Sequence, residues 1–174
     1  MKLEDVILYA NRASQPVATA VPIGTLYYVT DEKVSERSNG TTWDSYSDAG
    51  STSARTRTID MIIDGGGSTI TTGVKGYISF PVAATITGAR TLADQSGSIV
   101  IDVWKDTYAN YPPTVADTIT ASAKPTLSSA IKANDTTLTG WTTSIAAGDV
   151  LGFKVDSATT VTRVILQLTV VVTG

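Results

Sequence analysis

The chain has 174 residues, with 13 Lys and Arg against 16 Asp and Glu, and it contains neither His nor Cys. Without Cys there is no disulfide or thiolate zinc site, and without His the commonest general base and transition-metal ligand are missing. The net charge of −3 and the scattered basic residues argue against a nucleic-acid partner, because phosphate contacts need clustered Lys and Arg. We also expect no membrane span and no signal peptide, since no apolar run reaches about 18 residues and acidic residues stand close to Met1.

The N-terminal segment, residues 1–15, carries the helix signal of a chain otherwise rich in Thr, Ser, Val, Ala and Gly. Its apolar residues follow the i, i+3, i+4, i+7 spacing of an amphipathic helix: Leu3, Val6, Ile7 and Ala10. An isolated helix of this length is marginal in water. The segment therefore predicts an arm, which lies either on its own domain or a neighbouring subunit, or on a different protein.

The next segment, residues 24–47, predicts a three-stranded meander with strands at Thr25–Thr30, Lys33–Ser38 and Thr41–Tyr46. Asn39-Gly40 is a two-residue hairpin signal, because both positions accept a positive φ. A meander this small is marginal without another surface to pack on, and the small polar residues after it predict a linker. We therefore divide the chain into an N-terminal arm and meander at 1–50, a linker at 51–56 and a second domain at 57–174.

The second domain predicts an all-β, antiparallel sandwich, with roughly eight strands separated by turn clusters. Among sandwiches the pattern favours a jelly roll. The predicted strands are Thr58–Asp64, Gly76–Val82, Ala84–Leu92, Ser98–Lys105, Ile119–Ala123, Thr126–Ile131, Thr136–Trp141, Leu151–Val155 and Thr160–Val172.

The last of these strands is long and apolar on both faces, which predicts a central position. One face, with Val164, Leu166, Leu168, Val170 and Val172, is expected to fill the core. The other face is expected to form a contact between subunits, because a solvent-facing row seldom holds several aliphatic residues. Ordinary scattered surface aliphatics are the alternative. The expected trimer-interface residues are Val161, Ile165 and Val171 on this strand and Val100 and Trp104 on another.

Catalytic chemistry is not indicated by the carboxylates. The pairs Asp60/Asp64 and Asp102/Asp106 lie at i, i+4 on strands, about 13 Å apart, which is too far for a glycosidase pair. No phosphate loop is present, because the Gly65-Gly66-Gly67 triplet is not followed by Lys-Ser/Thr or a helix. We expect no enzyme and no cofactor, and we leave open whether an acidic turn holds a metal ion.

A loop between predicted strands carries Tyr108, Asn110 and Tyr111, close to Asp106 and Trp104. Exposed aromatic rings beside amides and carboxylates are what a sugar site needs, so these three loop residues are a possible glycan contact. A loop stiffened by Pro112-Pro113 and packed at a subunit junction is the alternative.

Two stretches resemble structural proteins of tailed bacteriophages. GTLYYVTD at residues 24–31, followed by RSNGTTW at 37–43, resembles a short module of tail fibre and accessory structural proteins. GSIVIDVWKDTYANYPPT at 97–114, with LTGW at 138–141, AGDVL at 147–151 and VTRV at 161–164, is similar to small trimeric β-sandwich domains on phage virions.

This resemblance implies a virion structural protein with a jelly-roll or tumour-necrosis-factor-like domain, assembled as a homotrimer, and it implies no catalytic residues. The chain has no long repetitive shaft, heptad repeat or collagen-like repeat. We therefore expect a capsid decoration or cement protein, a head knob that stabilises capsomers, rather than a receptor-binding tail fibre.

The expected partners are the major capsid protein and further copies of this chain, on the outer surface of virions made in the host bacterial cytoplasm. The residues expected to bind the capsid all belong to the first 50: Leu3, Val6, Ile7, Leu26, Tyr28, Trp43 and Tyr46. A tail-fibre or head-fibre domain that recognises host surface glycan is the alternative function.

Overall fold

The structure is a computed structural model, and it describes residues 7–9, 11–45 and 55–173. The chain divides into two compact units, Met1–Ala54 and Arg55–Gly174. Each unit has its own sheet and its own buried residues, and each is described by itself.

The first unit is built on a small sheet of four strands: β1 (Ile7–Tyr9), β2 (Leu26–Val29), β3 (Val34–Ser38) and β4 (Trp43–Ser45). The last three form the predicted antiparallel meander, and β1 pairs with β2 in parallel. The predicted helix is wrong within the described residues, because Ile7–Tyr9 is a strand and two 3-10 turns, Arg12–Ser14 and Ala18–Ala20, follow it. Pairing with β2 satisfies the backbone of a segment too short for a stable helix.

The hairpin between β3 and β4 is longer than the two-residue turn predicted from Asn39-Gly40. Its loop spans residues 39–42, and within the dipeptide only Gly40 has a positive φ, of 91°. The side chain of Asn39 explains the difference, since its Oδ1 accepts the N–H groups of Thr41 and Thr42 at 2.9 and 2.8 Å. An Asn side chain that caps the following backbone in this way holds residues 41 and 42 in the loop, so β4 begins two residues later than predicted.

The second unit contains seven strands among its described residues: β5 (Thr56–Asp64), β6 (Gly73–Ser79), β7 (Ala84–Asp106), β8 (Thr126–Asp135), β9 (Ser144–Ile145), β10 (Val150–Thr159) and β11 (Arg163–Val172). Two of them are long enough to serve both layers of a sandwich. The first part of β7 pairs with β11 and its last part with β10, while β8 follows β7 through both parts.

The resulting topology is a jelly roll, which confirms the predicted fold class. Sheet A consists of β5, β11, residues 84–93 of β7 and residues 132–135 of β8, and sheet B consists of β6, β10, residues 97–106 of β7 and residues 126–130 of β8. Counting these eight strand segments along the chain gives the orders 1-8-3-6 and 2-7-4-5, in which successive segments lie in opposite layers except for the fourth and fifth, which pair within sheet B.

The core lies between the two sheets and is aliphatic apart from Phe153. Four of the five predicted inward residues of β11, Val164, Leu166, Leu168 and Val170, are fully buried, whereas Val172 at the end of the strand is only half-buried. The central position of β11 is also confirmed, because β5 and β7 pair with it on either side.

Other strand predictions were wrong where tertiary structure overrides local pattern. Residues 84–92 and 98–105 form one continuous strand, β7, rather than two. Residues 119–123 and 136–141, predicted as strands, lie outside the strands of the structure. Both carry apolar residues that reach the core from loops, Ile119 and Leu138 among them.

Candidate interaction surfaces

The outer face of sheet A carries an aliphatic row formed by Ile62, Ile165 and Leu92. Ile165 on β11 pairs with Ile62 on β5 and with Leu92 on β7, so the three side chains stand side by side across three strands. Ile62 is 61% exposed and Leu92 is 40% exposed, although both are large aliphatic residues. An aligned apolar row on an open sheet face is typical of a surface that becomes covered by a partner.

Polar rows flank the aliphatic row on both sides. On one side Arg163 Nε donates to Asp64 Oδ2 at 2.8 Å, and this contact together with the Gly66 N–H holds the pKa of Asp64 below its usual range. On the other side Gln167 Nε2 donates to Asp60 Oδ1 at 2.9 Å. An apolar centre with a polar rim is the usual anatomy of a protein–protein interface.

The predicted trimer-interface residues do not all lie on this face. Val161 precedes β11 and is fully buried in the core, so it is not available to a partner. Val171 shares the outer face of β11 with Ile165 but stands six residues away, about 20 Å along the strand. The prediction extended β11 back to Thr160, whereas the strand begins at Arg163, and this misassigned Val161 to the outer face.

Val100 and Trp104 belong to sheet B rather than sheet A, which corrects their assignment to the same interface. Both lie in the part of β7 that pairs with β10. Trp104 is only 6% exposed, because its Nε1 donates to Asp102 Oδ2 at 3.1 Å beneath the loop that follows β7. Strand alternation correctly placed these residues opposite the core, but it carried no signal that a loop covers them.

Asp102 is the centre of a buried polar network that holds this loop on sheet B. Its Oδ1 accepts Thr118 Oγ1 and Thr120 Oγ1, both at 2.7 Å, and Lys124 Nζ lies 3.0 Å from Oδ2. Burial raises the pKa of Asp102, but these hydrogen bonds outweigh burial and hold the pKa below its usual range. The carboxylate therefore stays ionised and acts as a structural clamp.

The first unit has one covered face and one open face. Residues 12–20 cover the first: Trp43 Nε1 donates to Pro16 O at 3.0 Å, and its ring packs on Tyr27 with centroids 4.7 Å apart. Among residues 11–45 the buried apolar side chains are Ala18, Tyr27 and Val29. Trp43 is half-buried and its ring completes this small core, so the predicted anchor belongs to the covered face, and its role in capsid binding stays a prediction.

The open face of the first unit carries Leu26 and Tyr28, two of the predicted anchors, and both are partly exposed. Arg37 pairs with Leu26, and both Arg37 and Asp44 on this face are exposed. Val17 and Ile23, which the sequence analysis missed, are 67% and 72% exposed. Ile7 pairs with Tyr27 through its backbone, and Leu3, Val6 and Tyr46 lie outside the described residues.

The loop after β7 places Tyr108 and Tyr111 on the surface, 77% and 52% exposed. They line a cavity of about 300 Å³ together with Tyr77, Ser79 and Val150. Asn110 Nδ2 donates to Asp106 Oδ1 at 3.1 Å, at the base of the loop. The sequence pattern indicated the loop residues but gave no signal for Tyr77, which lies on a strand 31 positions earlier than Tyr108.

The acidic turns considered for a metal ion serve the backbone instead. Asp64 Oδ1 accepts Gly66 N at 2.7 Å, and Asp135 Oδ1 accepts Thr137 N at 2.8 Å. In the parts of the chain that the structure describes, no three Asp or Glu residues are grouped as metal ligands would be. The helical segments in those same parts are all too short to cross a membrane.

Comparison of the chain with protein-family models, with curated proteins and with solved structures found no match. Function must therefore be argued from the surfaces themselves.

Proposed function

We propose that this protein is a structural component of a tailed-bacteriophage virion, a homotrimeric decoration or cement protein that binds the outer head surface and stabilises capsomers. The second unit forms the trimer, and the first unit binds the major capsid protein. The protein acts by binding and not by catalysis.

The aliphatic row Ile62, Ile165 and Leu92 is the observation that carries the proposal. The three residues come from three different strands. A second copy of the chain that covers them therefore contacts a flat sheet face and not one protruding loop. Sheet A has its inner face in the core, which leaves this outer face for association. Three copies arranged about an axis bury the row, while the flanking Asp60–Gln167 and Asp64–Arg163 contacts stay at the rim.

The first unit supports the capsid contact. Its core among residues 11–45 consists of three side chains, Ala18, Tyr27 and Val29, beside the Trp43 ring. Burial of the open face, with Leu26 and Tyr28, by another surface would add apolar contact area to this small described core. A trimer presents three such faces, so individually weak contacts add up to strong attachment.

The trimer is tested by light scattering of the purified chain and its Ile165→Asp variant. We expect a trimer for the unchanged chain and monomers for the variant, because a carboxylate in the middle of the row cannot be buried without a partner. Val74→Asp is the matched control, since Val74 is 42% exposed on β6, away from sheet A. Circular dichroism should show both variants folded. The proposal is contradicted if the Ile165→Asp variant is still a trimer or if the unchanged chain is a monomer.

Capsid binding is tested by co-sedimentation with phage heads that lack the chain. The double variant Leu26→Ser, Tyr28→Ser should stay trimeric but lose at least tenfold in apparent affinity, because the open face loses its two large apolar side chains. Val115→Ser, at a 62% exposed position in the second unit, is the control and should bind as the unchanged chain does. Equal binding by all three proteins excludes this face as the contact.

A further inference from the structure

The cavity beside Tyr108 has a composition that goes beyond the proposed attachment to the capsid. We propose that it is a carbohydrate-binding site for a neutral pyranose, the terminal sugar of a bacterial surface polysaccharide. The site, here called the tyrosine pocket, is formed by Tyr77, Ser79, Tyr108, Tyr111 and Val150.

The strand register builds the floor of the tyrosine pocket. Val150 on β10 pairs with Ser79 on β6 and with Asp106 on β7, so these three residues form one row across sheet B. Two residues further along β10, the neighbouring row on the same face consists of Tyr77, Gly152 and Trp104. These positions lie opposite the buried Leu151 and Phe153, on the outer face of the sheet.

Gly152 leaves the space in which the Tyr77 ring lies. A Cβ atom at residue 152 would be 3.2 Å from Tyr77 Cε1 and 3.2 Å from Pro113 Cγ, so the two rings occupy the volume of the missing side chain. Tyr111 then packs edge-to-face on Tyr77, with ring centroids 5.1 Å apart. The aromatic wall is thus held by strand and loop together.

The loop that carries Tyr108 and Tyr111 is fixed at both ends. Asp106 Oδ1 accepts Thr107 N at 2.7 Å and Asn110 Nδ2 at 3.1 Å, and Thr114 caps the 3-10 turn Val115–Asp117. The exposed rings are therefore preorganised, which lowers the entropy that a ligand would have to offset on binding.

The chemistry of the pocket fits a sugar ring. The C–H face of a pyranose packs on the electron-rich face of an aromatic ring. The tyrosine hydroxyls and the Ser79 hydroxyl can form hydrogen bonds with the hydroxyl groups of the sugar. A volume of about 300 Å³ is at the lower limit for ligand sites and accommodates a single ring. A peptide strand or helix is larger than this space.

The charge beside the pocket selects against acidic ligands. Hydrogen bonds from Asn110 and Thr107 hold the pKa of Asp106 below its usual range, so the carboxylate is negative at neutral pH. Lys105, the neighbouring cation, is already paired with Asp149 at 3.1 Å. A negative rim disfavours uronic acids and phosphorylated ligands and leaves neutral hexoses as the expected class.

Saturation-transfer-difference NMR on the full chain tests the proposal with named probes: D-glucose, D-galactose, D-mannose, N-acetyl-D-glucosamine, L-rhamnose and D-glucuronic acid, each at millimolar concentration. We expect signal from at least one neutral sugar and none from glucuronic acid. Tyr108→Ala should weaken that binding at least tenfold, while Tyr108→Phe should retain most of it, because the ring provides the stacking surface.

The control is Val115→Ala, in the same loop but outside the pocket lining, and it should bind as the unchanged chain does. No signal from any neutral sugar, binding that survives Tyr108→Ala combined with Tyr111→Ala, or a preference for glucuronic acid would each overturn the proposal. The capsid contact is proposed for the first unit, so its success or failure in co-sedimentation is independent of these results.

Discussion

At the scale of single residues, the buried carboxylate of Asp102 holds the loop at residues 118–124 in place. Only 1% of the residue is exposed, and it accepts hydrogen bonds from Trp104, Thr118 and Thr120 besides its ion pair with Lys124. Lys124 also contacts Asp156 at 2.6 Å, and these two acids raise its pKa above the usual range. The network ties residues 118–124 to both β7 and β10.

Replacing Asp102 by Asn should therefore lower the free energy of unfolding by about 2 kcal/mol, because the amide NH₂ cannot accept the bonds that the carboxylate accepted. Urea denaturation measures this value. Asp60→Asn, at an exposed position on sheet A, is the control and should stay within about 0.5 kcal/mol of the unchanged chain. Equal stability of the two variants would show that the network contributes nothing.

The same network predicts the direction of acid unfolding. Asp102 and Asp156 have pKa values below their ordinary 3.8, so their stabilisation is complete above that pH and is lost as the pH falls through the lowered values. Stability of the unchanged chain should therefore fall more steeply in this acid range than that of Asp102→Asn. If the stability of the two proteins falls in parallel with pH, the assignment of this acid loss to the Asp102 network is contradicted.

At the scale of elements, β7 is the strand that joins the two sheets. Its register with β8 shifts around Gly97, where it passes from sheet A to sheet B. A Cβ atom at Gly97 would meet Thr160 Oγ1 and would lie 2.6 Å from Thr159 O and 2.7 Å from Val161 Cγ2. The close approach of the turn at 159–161 therefore requires glycine at this point.

Gly97→Ala should destabilise the second unit by about 2 kcal/mol, since backbone atoms must move to admit the methyl group. Gly88→Ala on the same strand is the matched control, because the added Cβ atom would lie an ordinary 3.5 Å from its nearest neighbour, Asp135 O. Thermal unfolding of both variants measures the difference. A tolerated Gly97→Ala would show that the crossing point is not tightly packed.

Sequence patterns predicted most strands of the second unit, because alternation over a half-buried strand is a local property. The inward face of β11 was predicted correctly at four of its five residues, and Val172 at the strand end is the exception. The continuity of β7 was not, since residues 93–97 separate the two predicted strands and are held by distant contacts: Gln95 Nε2 donates to Thr160 O, and Asp94 Oδ1 accepts Arg163 N at 3.1 Å. The covering of Trp104 and the packing of Trp43 were missed because both depend on tertiary contacts: Trp104 pairs with Thr118 in the loop that follows β7, and Trp43 Nε1 donates to Pro16 O.

At the scale of the whole molecule, the two units differ in how much they bury. The second unit has a continuous core between two sheets, whereas residues 11–45 bury three apolar side chains. The proposed function assigns the trimer to the second unit and the capsid contact to the first, and the tyrosine pocket lies in the second unit.

Cryo-electron microscopy of the intact virion tests the central claim most directly. The account predicts trimeric knobs on the outer head, with the Ile62–Ile165–Leu92 row at the threefold contact and residues 11–45 against the shell. Density for the chain on the tail alone, or copies on the head that do not touch one another, would contradict it.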